Sequence, residues 1–175
     1  MMEEKIRRCV FQVLDDSAGV EGEGVYLVQV HLKGSAGHRK IDVQLDSDTG
    51  IRIDQCAFFN RSLRARIEND TEPPLLSGEE FDLEVSSPGL GEPIVVARQY
   101  LRHTGRLLRV TFQADDGHER TITGRLSKVV CSGETITGLE LTVPGAGRKR
   151  QVDIGEQVVG IEPEQVVRAV PEVEW

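Results

Sequence analysis

Apolar positions recur at helical spacing near the start of the chain. Ile6, Cys9, Val10, Val13 and Leu14 form one stripe of an amphipathic helix. Gly19 to Gly24 ends that helix and leads into VYLVQVHL, where alternation places Tyr26, Val28, Val30 and Leu32 on one strand face. A loop rich in Gly and Ser, GSAGHRK, precedes a second strand. There Ile41, Val43 and Leu45 alternate with Asp42, Gln44 and Asp46, so a hairpin is expected. Asp54 is the expected N-cap of a second helix, because its carboxylate accepts first-turn N–H groups. Cys56, Phe59, Leu63 and Ile67 give that helix its buried stripe. Beyond a Pro73-Pro74 loop, Phe81, Leu83 and Val85 alternate with Asp82 and Glu84 as a third strand. The order α-β-β-α-β predicts a small, KH-like α+β layer with two helices on one sheet.

Past Pro93 the pattern changes. A short helical turn, VARQYLRHTG, ends at Gly105 in a C-cap position. RLLRVTFQ, RTITGRLSKVV, TITGLELTV and RQVDI then read as short strands separated by the turn signals DDGH, CSGE and PGAG. Such strands predict a small all-β barrel of SH3-like or Sm-like kind. GIEPEQVVRAV reads as a helical turn opened by Pro163 and a closing strand. The expected domains are an α/β unit over 1–91 and a β-barrel unit over 92–175.

Charge sharpens this division. The formal net charge is −8, and all of it arises up to Pro93, with 10 Lys and Arg against 18 Asp and Glu; from Ile94 onward there are 11 of each. An acidic chain is not an obvious nucleic-acid binder, since phosphate affinity rests on Lys and Arg. Local basic clusters still fit RNA or a ribosomal surface, with the acidic half facing a basic protein. No apolar run approaches the roughly 20 residues that span a bilayer, and MMEEKIRR lacks the apolar core of a signal peptide. Cys9, Cys56 and Cys131 include no C-x-x-C pair, which predicts reduced thiols, no zinc and a cytoplasmic setting. Neither a cofactor nor a membrane partner is expected, and the chain reads as a monomer.

Four motifs carry candidate chemistry. Asp46, Asp48, Gly50 and Asp54 suggest a calcium loop, but Gly and the closing acid fall at the wrong positions, so a strand-to-helix turn is expected. Gly19-Val20-Glu21-Gly22 matches the G-x-x-G clamp of RNA-binding KH domains, yet it joins a helix to a strand, and Glu21 and Glu23 repel phosphate. Ser86 and Ser87 lack a nucleophile elbow, and His31, His38, His103 and His118 are scattered. Ser86, Ser87, Pro88 and Gly89 read first as turn chemistry, with Gly89 taking a positive φ. The basic residues Arg98, Arg102, Arg106 and Arg109 follow the joint, and Arg148, Lys149 and Arg150 form a run in a hairpin. Each group reads either as solvated surface or as a patch for RNA or a ribosomal surface.

"FDLEVSSPGLGEPI" strongly resembles the signature of the RimP family of bacterial ribosome maturation factors, whose strand ends L-E-V-S-S-P-G-L. VQLDSDTGIRIDQC, ARQYLRHTGRLLRV and the segment with Ile161, Val166 and Ala169 are similar to further family segments. The resemblance implies an α/β domain, an SH3-like barrel and a non-enzymatic role in maturing the small ribosomal subunit. Its implied partners are the immature small subunit and a basic small-subunit ribosomal protein; the arginines that follow the joint add small-subunit rRNA as a further candidate partner. Ser86, Ser87, Pro88, Gly89, Leu90 and Pro93 then form an interdomain signature, with Pro88 and Pro93 restraining the joint. The chain departs from the family at Gly91-Glu92, where an acidic-basic pair is usual, at Glu162-Pro163 for Pro-Phe, and at Asn60 for Ser. A stand-alone Sm-like RNA-binding module and a small hydrolase using Ser86 or Ser87 are the rival classes.

Overall fold

The computed structural model describes residues 2–19, 21–35, 37–69, 76, 80–144 and 156–174. They form a mixed α+β protein with two sheets and three α-helices. Packing divides the chain into two units, Met1–Pro88 and Gly89–Trp175.

In the first unit, α1 (Met2–Asp16) buries the expected stripe Ile6, Cys9, Val10, Val13 and Leu14, with Glu3 and Glu4 in the first turn, where the helix dipole favours negative charge. β1 (Val25–Ser35) and β2 (His38–Ser47) form an antiparallel hairpin. Most of the expected GSAGHRK loop is strand: Gly34 pairs with Arg39 and Ser35 with His38. α2 (Ile53–Asn69) then carries the chain back, so that β3 (Glu80–Ser86) lies parallel to β2, with sheet order β1-β2-β3. The core joins Ile6, Val10 and Val13 of α1 to Ile41, Val43 and Leu45 of β2 and Phe59, Leu63 and Ile67 of α2.

Three expectations here are corrected. The register of β1 shifts between Leu27 and Gln29, so Val28 is an extra residue in a β-bulge. Each bulge switches the parity of the strand. The core therefore takes Val25, Leu27, Val30 and Leu32, and Tyr26 and Val28 lie outside that cluster although both are buried. Asp54 is not the N-cap, because α2 begins at Ile53. The Gln55 side chain accepts the Arg52 N–H (3.0 Å), and Asp54 accepts from Gln55 N–H and Arg52 Nε (both 3.1 Å) within the first turn. Gln55, rather than Cys56, starts the buried stripe, and its Nε2 donates to the Glu21 carbonyl (2.8 Å), tying α2 to the segment after α1. Cys56 is half-buried.

The second unit contains the short helix α3 (Gln99–Arg102) and strands β4 (Leu107–Gln113), β5 (Glu119–Ser132), β6 (Thr135–Val143), β7 (Gln157–Ile161) and β8 (Val166–Pro171). A 3-10 turn at Pro163–Gln165, opened by proline as expected, links β7 to β8. The sheet order is β7-β6-β5-β4-β8. The expected closed barrel is not found: among the described residues β7 and β8 stand at opposite ends of this order. The expected strand at RQVDI and the run Arg148, Lys149 and Arg150 lie outside the described residues. The strand paired with β6 is Gln157–Ile161, where adjacent valines and a glycine hide the alternation.

Although open, this sheet is curled. Four strand spacings of about 4.8 Å would hold the edges of a flat sheet about 19 Å apart. The link from Ile161 to Val166 includes the 3-10 turn and reaches roughly 14 Å. Two register shifts in the β5–β6 pairing supply the bend. At the inner face, a Cβ on Gly124 would meet the Thr142 carbonyl oxygen at 2.9 Å, so the close strand approach there requires glycine. The curl encloses Leu108, Val110, Leu126, Leu139 and Leu141, all at most 1% exposed. Leu108→Ala is expected to cost about 2–5 kcal/mol by leaving a cavity, whereas Leu107→Ala, on the outer face, costs far less; urea unfolding of the two variants measures the difference.

Candidate functional site

The signature segment begins where β3 ends. Ser86 pairs with Gln44 of β2, and the chain continues through exposed Ser87 and half-buried Pro88. The turn comes later than Ser-Ser-Pro-Gly implies. Glu92 N–H donates to the Gly89 carbonyl (3.2 Å), and Gly91, at φ 76°, takes the left-handed backbone expected of Gly89. Gly91 holds the third position of this turn, where a positive φ favours glycine and strains most L-residues. Leu90 at the turn tip is 83% exposed.

After Pro93, Ile94 N–H donates to the Ala169 carbonyl (2.8 Å), anchoring the segment to β8. Buried Gln99 completes the anchor: its Oε1 accepts from Val95 N–H (2.8 Å) and Val96 N–H (3.1 Å). Sequence patterns give no sign of this glutamine, because a polar residue opening a short helix reads as solvated surface. Beside it, burial pushes the Tyr100 phenol up to about 12, keeping it neutral. His103, rather than Gly105, is the C-cap of α3.

The four basic candidates near the joint diverge. Arg98 is the N-cap residue of α3 and Arg102 its last residue. Arg106 is exposed just before β4, and Arg109 lies on the exposed face of β4. Arg109 Nε donates to Glu172 Oε1 (2.6 Å). Arg125, absent from the sequence candidates, binds Glu174 with both terminal nitrogens (2.6 and 3.3 Å) and donates to the Gly105 carbonyl (2.7 Å). The Arg125 hydrogen bond holds the Glu174 carboxyl below its usual value.

In the first unit the basic side chains are largely engaged by carboxylates. Lys33 reaches Asp42 (2.8 Å), Lys40 reaches Glu84 (2.8 Å) and Asp42 (3.3 Å), and Arg66 pairs with Asp16. Arg52 meets Glu21 (3.6 Å) and Asp54 (3.1 Å).

The remaining candidates are separated. His31 lies on β1 and His103 ends α3, while His38 opens β2, 3.3 Å from Asp82, and His118 follows the β4–β5 turn. Asp46 is buried, with its carboxylate on Ser47 N–H (2.9 Å). Among the described residues no group of three His, Cys, Asp or Glu is placed to hold a metal, and no helix is long and apolar enough to cross a membrane. Asn60, where the resembling family has Ser, donates to the Leu83 carbonyl (2.9 Å) and ties α2 to β3. Glu162, at another departure, forms a capping box with Gln165.

These features define a two-unit α+β protein whose halves are linked through a Ser-Ser-Pro-Gly segment. The chain belongs to the RimP family. The family's sequence model, described as the RimP N-terminal domain, matches residues 17–91. A relative from Chlorobium limicola named ribosome maturation factor RimP is 52% identical over 173 residues, covering 99% of this chain and 98% of that protein. Its namesake from Chlorobium phaeobacteroides is 47% identical, with 99% of both chains covered. A third, from Cytophaga hutchinsonii, is 42% identical over 93 residues, about half of each chain.

Two predictions test this geometry. Gln99→Ala leaves the Val95 and Val96 N–H groups without their buried acceptor, at a cost of about 1–3 kcal/mol; thermal unfolding and faster exchange of those two amides report it. Glu174, followed by NMR, titrates below its usual 4.5. Its ion pair contributes fully above the unfolded pKa and is lost as pH falls through the depressed folded value. Arg125→Gln returns the midpoint to the ordinary carboxylate range.

Proposed function

We propose that this protein is a ribosome maturation factor for the small ribosomal subunit. It binds immature subunits in the cytoplasm, as a monomer, through a basic small-subunit ribosomal protein and small-subunit rRNA, and performs no chemistry of its own. The single observation that carries the reading is similarity along essentially the full chain to relatives named ribosome maturation factor RimP.

The proposed architecture is a KH-like α+β domain over 1–91 and an SH3-like barrel domain over 92–175. The curled sheet, with its 3-10 link between the edge strands, supports the barrel likeness. The charge step supports the division of partners. The first half carries the whole net charge of −8, which attracts a basic protein; the balanced second half has exposed arginines that suit rRNA. Exposed charge pairs of this kind govern mainly on-rate and salt sensitivity. The signature segment Ser86, Ser87, Pro88, Gly89, Leu90 and Pro93 acts in this reading as the connection between the two binding surfaces.

Sedimentation with free small subunits tests the proposal. The protein is expected to migrate with the subunits at low salt and to dissociate progressively as salt screens the contacts. A protein that remains apart from the subunits at every salt concentration overturns it.

A further inference from the structure

The outer face of the curled sheet carries an arrangement that no linear stretch of sequence displays. Leu107, Arg109 and Thr111 alternate outward along β4. On β5 their partners are Arg125, Thr123 and Thr121. On β8, Val170 faces Arg109 and Arg168 faces Thr111, while Glu172, just beyond the strand, donates its N–H to the Leu107 carbonyl. Direct partners in an antiparallel pair share a face. The arginines consequently form a diagonal across three strands: Arg125 on β5, Arg109 on β4 and Arg168 on β8. Neighbours along that diagonal are about 7–8 Å apart at the backbone. On one side of the row lie the hydroxyls of Thr123, Thr121 and Thr111, with the last two oxygens 2.9 Å apart. Thr142, the partner of Arg125 on β6, adds another hydroxyl.

Two of the three guanidinium groups already hold anions. Glu172 occupies Arg109, and Glu174 occupies Arg125 through both of its terminal nitrogens. A guanidinium fork that accepts a carboxylate in this way also accepts a phosphate. The two glutamates lie on the short segment following β8 and are held by exposed pairs. Such pairs are worth little in water and are readily exchanged.

We propose that the diagonal Arg125, Arg109 and Arg168 is a binding row for an RNA phosphodiester backbone, and that Glu172 and Glu174 are intramolecular competitors displaced when RNA docks. This rests on the reading of the protein as a ribosome maturation factor and assigns the rRNA contact to named residues. The occupant is RNA rather than an acidic protein because, among the described residues, the face carries no aromatic anchor of the kind around which protein interfaces are built, and its row of guanidinium groups is flanked by threonine hydroxyls that suit phosphate oxygens. Among the described residues it also offers no aromatic platform for base stacking. Contact is therefore with the backbone of duplex RNA and independent of base sequence. Of the sequence candidates only Arg109 belongs to the row. Arg125 and Arg168 sit in separate strands, and the register alone unites them.

The test uses the full chain and a short RNA duplex of mixed sequence, with affinity measured by fluorescence anisotropy across a salt series. Wild-type protein binds at low salt. Replacing Arg109, Arg125 and Arg168 by Gln reduces affinity and flattens the salt slope by about one for each phosphate no longer neutralised. Glu172→Gln with Glu174→Gln strengthens binding roughly two- to fivefold, as expected for removing exposed competing pairs. Arg120→Gln is the control for a general charge effect. Arg120 is likewise an exposed arginine paired with a carboxylate, that of Asp116 (2.6 Å), but lies off the row.

Unchanged duplex affinity in the triple variant, or equal weakening in Arg120→Gln, overturns the row. Polyglutamate binding as tightly as the duplex assigns the face to an acidic protein and overturns the RNA assignment. If wild-type protein sediments with small subunits and the triple variant does so equally, the maturation reading stands and this row falls. Failure of wild-type protein to sediment with subunits removes the broader reading instead. Circular dichroism confirms that the triple variant is folded, and the double glutamate variant tests the same face by a gain of binding.

Discussion

Every sheet with an apolar face has to cover that face, and the two units of this chain do so by different means. In the first unit α1 and α2 lie on one side of three strands, so the alternation of Ile41, Val43 and Leu45 against Asp42 and Gln44 separates core from solvent. Among its described residues the second unit has the four-residue α3 as its one α-helix, too small to roof five strands. Its sheet bends until its own inner face becomes the core, around Leu108, Leu126, Leu139 and Leu141. Gly124, the β5 bulges and the short link between β7 and β8 all serve that bend. What the bend leaves on the outside is a continuous surface across β5, β4 and β8, where side chains distant in sequence become neighbours.

The signature segment is best understood by what anchors it. Ser86 is the last rung of one sheet, and Ile94 is bonded to the edge strand of the other. Between them a single turn, closed at Gly89 and Glu92, carries an exposed leucine and no bulky buried side chain. Gln99 then secures the backbone on the second unit's side, its buried side chain accepting the N–H groups of both Val95 and Val96. The segment runs across the boundary between the two units. The charges that suit binding lie outside it.

Much of the chain was legible as pattern. The α1 stripe, the β1–β2 hairpin, the alternation in β3, and the proline-opened turn before β8 all follow from local periodicity and turn chemistry. The misses share a physical cause. A bulge at Val28 reverses the parity of β1, and nothing in VYLVQVHL marks which residue will be extra. Gln55 displaces Cys56 from the buried face because its amide finds a carbonyl on a different segment. Gly91, not Gly89, takes the positive φ, since the turn is closed by the Gly89–Glu92 hydrogen bond and not by proline alone. QVVGI is a strand because β6 pairs with it, although its own pattern is poor.

By itself the sequence determined the element types and their order, the charge step near Pro93 and the likeness to the RimP family. Each depends on composition or on residues close together in the chain. Only the tertiary structure decided which residues meet: the placement of Gln99 beside the joint, the curl that replaces a roof of helices, and the diagonal of Arg125, Arg109 and Arg168 with its two glutamates. Periodicity reports which way a side chain points relative to its own strand. Which strands are neighbours, and in what register, is set by hydrogen bonding between distant segments, and that pairing turns scattered arginines into a row.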